Sequence, residues 1–140
     1  MSIIDEMVKK AKVAQKQWAK ADQEHTDKVV REIAKTVADN SKELAQMTVD
    51  ECGMGNYEYN YKQDLRKSAI IWYELKGKKS KGIIERDEEK GLVTIAKPIG
   101  VVGAALPVTI PVTDFMTNCL FSLKSGNAYA CANHPGSVKT

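Results

Sequence analysis

The most constraining feature of the sequence is a pair of almost wholly apolar runs with a helix-forming segment between them. Residues 99–106 form the first run and residues 127–132 form the second. A short apolar run rich in small residues is typical of a strand that is covered on both faces. After a proline-flanked loop, Thr113 can cap a helix over residues 114–124. The order strand, helix, strand predicts a βαβ unit with parallel strands and a right-handed connection.

The loops that follow the two predicted strands are the candidate binding site, because ligands of parallel sheets bind at the carboxyl ends of the strands. Both loops combine small polar groups with exposed backbone. They consist of Leu106, Pro107, Val108 and Thr109 after the first strand, and of Asn133, His134, Pro135 and Gly136 after the second. A complete doubly wound domain has more than two strands. We therefore expect an α/β fold of which this chain forms the front portion.

Four amphipathic helices are predicted ahead of the βαβ unit, since apolar residues recur there at three- and four-residue steps. The first, third and fourth helices begin after residues that favour the N-cap position, Ser2, Asn40 and Asn56, and the second helix is predicted over residues 22–38. Asn40 is followed by Glu43 at the capping-box position, and Gly53 can end the third helix. In the fourth helix we predict these inward positions: Leu65, Ser68, Ala69, Trp72 and Leu75.

Two short β-prone runs separate the helices from the βαβ unit. Residues 83–84 and 92–96 flank the polar turn at 86–91, which predicts a β-hairpin or arm.

Composition and charge narrow the class of protein. Hydrophobic residues make up 43% of the chain and charged residues 28%, as in folded globular domains. A net charge of +3 with both signs intermixed does not indicate a nucleic-acid binder. No apolar run reaches the ~18–20 residues of a membrane span, and the N-terminus lacks the features of a signal peptide. A cytoplasmic location without a membrane partner is the expectation.

The three cysteines do not form a recognisable framework. Cys52, Cys119 and Cys131 are odd in number and widely spaced, which disfavours both a disulfide scaffold and a zinc site. We expect buried, reduced thiols and no metal.

Longer stretches of the sequence carry a resemblance to a known family. Residues 97–111 read KPIGVVGAALPVTIP, residues 123–128 read LKSGNA and residues 133–136 read NHPG. These stretches resemble the aldehyde dehydrogenase superfamily and, within it, the coenzyme A-acylating branch, which is similar in having P-x-T-N-P and P-H-P where hydrolytic members have P-W-N-F-P and K-P-S-E. Three upstream stretches also resemble acylating succinate-semialdehyde and acetaldehyde dehydrogenases: AKVAQK at 11–16, ECGMGNYE at 51–58 and GIIE at 82–85.

The resemblance implies a domain organisation and a reaction. It implies an N-terminal helical segment over residues 1–81, a β arm for oligomer contacts over 82–97, and the start of a Rossmann-type dinucleotide-binding domain over 98–140. In the family reaction a cysteine thiolate attacks an aldehyde, hydride passes to NAD or NADP, and coenzyme A removes the acyl group. None of the three cysteines lies in the nucleophile's motif, which falls beyond residue 140 in the family.

The resemblance also implies roles for the two loops. Thr109 falls at the position of the oxyanion-hole asparagine of hydrolytic members, whereas their ribose-binding lysine falls on Ala132. The loops Leu106–Thr109 and Asn133–Gly136 are expected to contact the cofactor. His134 is expected to stack on, or hydrogen-bond to, the adenosine half of the dinucleotide or of coenzyme A. The expected partners are a small aldehyde and further copies of the chain, as a dimer or tetramer through the β arm.

Two interpretations of the whole chain remain open from the sequence. In the first, it is the N-terminal part of an acylating aldehyde dehydrogenase. In the second, it is a non-catalytic module that docks through its β arm or through the basic face of its first helix. A purely helical scaffold is disfavoured by the βαβ pattern.

Overall fold

The computed structural model describes residues 2–140, leaving Met1 aside, and has the predicted α/β architecture. The helices of this described part are α1 (Ile3–Trp18), α2 (Gln23–Asp39), α3 (Ser41–Cys52), α4 (Tyr57–Leu75) and α5 (Pro111–Lys124). Its strands are β1 (Gly82–Asp87), β2 (Leu92–Ala96), β3 (Val101–Ala105) and β4 (Ala128–Ala132). No helix within residues 2–140 combines the length and the apolar character that a membrane span requires.

Two of the three N-caps predicted for the first four helices are confirmed. The Ser2 hydroxyl accepts the Asp5 amide while the Asp5 carboxylate accepts the Ser2 amide, which forms a capping box. Asn56 likewise caps α4. Asp22, which the sequence placed at the start of the second helix itself, instead caps α2 by accepting the His25 amide. The predicted capping box at Asn40 is wrong. Its backbone, with ψ near 10°, closes the end of α2, and its side-chain amide donates to the Thr36 carbonyl at 2.7 Å.

The prediction for the inward face of α4 is partly wrong. Ser68 and Leu75 are buried as expected and Trp72 is half-buried, but Leu65 and Ala69 are exposed. The buried stripe consists of Asn60, Asp64, Ser68, Ile71 and Leu75. This stripe also follows steps of three and four residues, so periodicity alone does not separate it from the neighbouring, more apolar one.

The hydrophobic core joins the N-terminal helices to the βαβ unit. Val30 on α2, and Met116 and Leu120 on α5, are completely buried. The cluster consists of Val30, Ala34, Ile71, Leu75, Met116 and Leu120, with Ile33, Val37, Trp72 and Leu123 packed around it. Helices α2, α4 and α5 therefore share one core.

The predicted hairpin is present. Strands β1 and β2 pair antiparallel from Gly82 opposite Ala96 to Asp87 opposite Leu92, with a bulge between Ile83 and Glu85. The Lys90 amide donates to the Asp87 carboxylate at 3.0 Å and closes the turn. Four of its apolar side chains are exposed: Ile83, Leu92, Val93 and Ile95.

The βαβ unit is confirmed, with two local differences. Strands β3 and β4 are parallel, with Val101 opposite Ala128 and Ala105 opposite Ala132. Helix α5 begins at Pro111, so Thr113 is not its N-cap but lies buried in the first turn. The fixed φ of proline suits the first helical position and moves the start ahead of Thr113. The expected cover on both faces of β3 is incomplete within residues 2–140, because Gly103 and Ala105 are exposed.

Candidate functional site

The two candidate loops leave the sheet side by side. The Leu106 amide donates to the Ala132 carbonyl at 2.9 Å, so the parallel pairing of β3 and β4 extends to the first residue of the first loop. This hydrogen bond places the carboxyl ends of both strands at one edge of the sheet, where the loops Leu106–Thr109 and Asn133–Gly136 begin.

The loops contact each other through Val108 and Gly136. A methyl group added to the α-carbon of Gly136 would lie 3.3 Å from Cγ2 of Val108 and 3.3 Å from Nδ1 of His134. Both distances are shorter than ordinary van der Waals contacts. The absence of a side chain at Gly136 therefore lets the two loops approach closely.

His134 is held by hydrogen bonds within its own turn. Its Nδ1 accepts the Gly136 amide at 3.0 Å, and its carbonyl accepts the Ser137 amide at 2.9 Å. Ser137 is completely buried and fixes the end of the turn, whereas His134 is exposed. Because Nδ1 is an acceptor, the neutral imidazole carries its proton on Nε2, which leaves one donor and one ring face available to a ligand.

The predicted site residues differ in exposure. Thr109, Asn133, His134 and Pro135 are exposed, and Pro107, Val108 and Gly136 are half-buried. The Leu106 side chain lies in the core, so only its backbone can meet a ligand. The loops therefore offer a hydroxyl, an imidazole, an amide side chain and backbone groups at one edge of the sheet.

Two of the thiols have a raised pKa, whereas a nucleophilic cysteine has a lowered one. Burial raises the pKa of Cys119 to about 11, and burial together with the Glu51 charge raises the pKa of Cys52. A reactive cysteine needs a lowered pKa, because the thiolate is the nucleophile. Cys131 lies within β4, and all three cysteines are free.

Glu51, near the end of α3, makes hydrogen bonds to Lys139 and Thr140 that the sequence did not reveal. Its carboxylate accepts the amides of Lys139 (2.8 and 3.0 Å) and Thr140 (2.7 Å) and the Thr140 hydroxyl (2.6 Å). The hydroxyl bond of Thr140, followed by those backbone amides, lowers the pKa of Glu51 to about 2. The partners lie 88 and 89 residues apart in the chain, so no local pattern could have indicated them.

The comparison with family models decides the identity of this fold. The model described as "Aldehyde dehydrogenase family" matches residues 2–135. The chain belongs to the aldehyde dehydrogenase family. The helices, the hairpin and the βαβ unit all lie within this match, which confirms the resemblance noted in the sequence.

Individual relatives within the aldehyde dehydrogenase family include acylating enzymes. The succinate-semialdehyde dehydrogenase (acetylating) of Clostridium kluyveri is 41% identical over 136 residues, which is 97% of this chain and 30% of that protein. An acetylating aldehyde dehydrogenase from Geobacillus thermoglucosidasius has a TM-score of 0.93 at 33% identity, covering 97% of this chain and 30% of the other. A Rhodopseudomonas palustris propionaldehyde dehydrogenase with bound propionyl-CoA has a TM-score of 0.77 at 26% identity, covering 96% and 30%. This chain thus spans about 30% of the length of these aldehyde dehydrogenases.

Proposed function

We propose that this chain is the N-terminal part of a coenzyme A-acylating aldehyde dehydrogenase. The proposed enzyme oxidises a small aldehyde to an acyl-CoA with NAD or NADP, in the cytoplasm, through a cysteine beyond residue 140. The observation that carries the proposal is the similarity of nearly the whole chain to acylating relatives, at 41% identity to the Clostridium kluyveri enzyme. No observation favours the alternative of a non-catalytic docking module.

The paired loops suit one end of a dinucleotide. The ladder bond between Leu106 and Ala132 and the close approach of Val108 to Gly136 bring the two loops together at the carboxyl edge of the sheet, where we place the nucleotide crevice. Ligands of open α/β sheets bind at this edge. The proposed cofactor contacts are the backbone of Leu106, then Pro107, Val108 and Thr109 on one side, and Asn133, His134, Pro135 and Gly136 on the other.

NAD or NADP, when bound, supplies the hydride acceptor, and coenzyme A supplies the thiol that takes the acyl group. The residues of this chain position the cofactor and stabilise the negative charge that develops in the reaction. His134 presents a ring face and Nε2 to the adenosine half of the cofactor. The exposed Thr109 hydroxyl can donate a hydrogen bond to the oxyanion that develops when a thiolate adds to the aldehyde.

The proposed reaction is tested by assaying the full-length protein with aldehyde, coenzyme A and NAD or NADP. We expect formation of reduced nucleotide to require both aldehyde and coenzyme A, and we expect acyl-CoA in an equal amount by mass spectrometry. Reduced nucleotide accompanied by a free carboxylic acid, without a requirement for coenzyme A, would show a hydrolytic enzyme instead.

The roles of His134 and Thr109 are tested by substitution in the same protein. His134→Ala should raise the Kd of the nucleotide about fivefold, the equivalent of one stacking or neutral hydrogen-bond contact. Thr109→Ala should lower kcat about tenfold with less effect on that Kd. His25→Ala and Thr36→Ala, at exposed positions on α2 and outside both loops, serve as matched controls. Equal values in the variants and controls would show that these loop positions have no role.

The β arm is the proposed oligomer contact. A two-stranded hairpin is marginally stable alone, and Ile83, Leu92, Val93 and Ile95 expose an apolar surface on it. Pairing with an arm of a second copy would cover these side chains and satisfy the free strand edges.

A further inference from the structure

The segment that follows the second loop is tied to a distant helix through one side chain. The turn at residues 134–137 closes on itself through the Gly136 and Ser137 amides. The amides of Lys139 and Thr140, which come next, both donate to the Glu51 carboxylate on α3. The turn thus lies between two fixed points: the ladder of β4 on one side and Glu51 on the other.

We propose that Glu51 is a positioning residue for the nucleotide crevice, because its carboxylate fixes the backbone that carries the turn of His134–Gly136. This role rests on the proposed function of the crevice. Glu51 does not touch the cofactor. It holds the exit of the turn so that Gly136 stays against Val108 and the His134 ring keeps one orientation.

The chemistry of the anchor requires a carboxylate at this position. Three donors converge on the two oxygens of Glu51, and a carboxylate accepts several hydrogen bonds without presenting a donor of its own. Glutamine keeps one oxygen but directs an NH₂ group at these donors. Alanine leaves the two backbone amides and the hydroxyl without this acceptor.

The anchor is tested with Glu51→Gln, Glu51→Ala and Thr140→Val in the full-length protein. We expect Glu51→Ala to raise the nucleotide KM and Kd about five- to tenfold while kcat changes less than about twofold. Glu51→Gln should give an intermediate value, and Thr140→Val, which removes only the hydroxyl bond, the smallest one. Glu43→Gln, an exposed substitution on the same helix, is the control and should match the parent.

A second measurement separates this role from general destabilisation. Hydrogen exchange in the ligand-free protein should become faster at residues 136–140 in Glu51→Ala and remain unchanged in the core of α5. This readout also serves if Glu51→Ala folds poorly, because Thr140→Val should give the same pattern in weaker form.

The possible results are distinguishable from a failure of the proposed function. A parent protein that binds no nucleotide would refute the crevice itself, and with it a role for Glu51 in binding. A parent that binds nucleotide, with Glu51→Ala and Glu51→Gln binding equally well, would refute only the positioning role. Unchanged exchange at residues 136–140 would show that Glu51 does not anchor the turn.

Discussion

Breaking the ion pair between Asp27 and Lys124 tests how the N-terminal helices are fastened to the βαβ unit. Asp27 on α2 accepts a hydrogen bond from the Lys124 ammonium at the end of α5. The Lys124 side chain is only 4% exposed, whereas that of Asp27 is 28% exposed. The buried Lys124 ammonium therefore depends on Asp27 for its compensating charge, whereas the partly hydrated Asp27 carboxylate depends less on Lys124.

This difference predicts unequal effects of the two single substitutions. Asp27→Ala leaves a buried ammonium without its partner and should lower the free energy of unfolding by about 3 kcal/mol. Lys124→Met replaces the ammonium by an apolar side chain of similar length and leaves a partly hydrated carboxylate, so it should cost about 1 kcal/mol or less. The double variant should lie close to Lys124→Met, because no unpaired ammonium remains.

Urea denaturation followed by tryptophan fluorescence measures these differences. Trp18 donates to the Leu123 carbonyl at 2.9 Å and Trp72 packs against the core, so both report on this interface. Asp39→Ala, which breaks the exposed pair with Lys35, is the control and should leave the midpoint unchanged. Equal losses in Asp27→Ala and Lys124→Met, or a loss below about 1 kcal/mol in Asp27→Ala, would refute the reasoning.

Three further predictions follow from burial and from the proposed function. Burial raises the pKa of Asp64 to about 7. The folded state therefore binds the Asp64 proton more tightly than the unfolded state does, and the free energy of unfolding falls as the pH rises through about 7. Asp64→Asn lacks this titration, so its free energy of unfolding should rise by roughly 2–3 kcal/mol relative to that of the parent as the pH goes from about 5 to about 9. The same pH dependence in both proteins would contradict this. The isolated 140-residue chain should form no reduced nucleotide from aldehyde and coenzyme A; activity that a Cys-to-Ala change abolishes would overturn this. Deleting residues 83–96 from the full-length protein should lower its mass in light scattering to a smaller oligomer, whereas an unchanged mass would show that the arm is a surface hairpin.

Local signals in the sequence account for the elements that were predicted correctly. The βαβ unit follows from two apolar runs with turn residues between them, and the hairpin follows from two β-prone runs around a polar turn. N-caps at Ser2 and Asn56 depend on hydrogen bonds within three residues. Structure of this range is encoded by neighbouring residues, so a pattern in the sequence is sufficient to predict it.

Tertiary packing decided the inward face of α4, which was predicted wrongly in part. On α4, Asn60 and Asp64 face inward while Leu65 is exposed, although hydrophobicity favours the opposite choice. The Asn60 amide lies 3.5 Å from the Met54 carbonyl, in the loop between α3 and α4, a partner that only the folded chain brings within reach. Asp64 is buried although one of its carboxylate oxygens has no hydrogen-bond partner, and residue hydrophobicity would place such a side chain on the exposed face of the helix.

The candidate site also has one part that the sequence predicts and one part that only the folded structure reveals. The position of the two loops follows from topology, because parallel strands of a βαβ unit end at one edge of the sheet. The close contact of Val108 with Gly136 fits that expectation. The Glu51 anchor joins residues 88 positions apart, and only the folded chain brings them together.

The central claim is that the two loops flank one dinucleotide, and hydrogen exchange with and without nucleotide tests it most directly. The measurement compares the full-length protein alone, with NAD and with NADP. We predict slower exchange on binding at the amides of the non-proline loop residues, which are Leu106, Val108, Thr109, His134 and Gly136, and no change in the hairpin at residues 82–96. Tight nucleotide binding that leaves both loops unprotected would contradict the account.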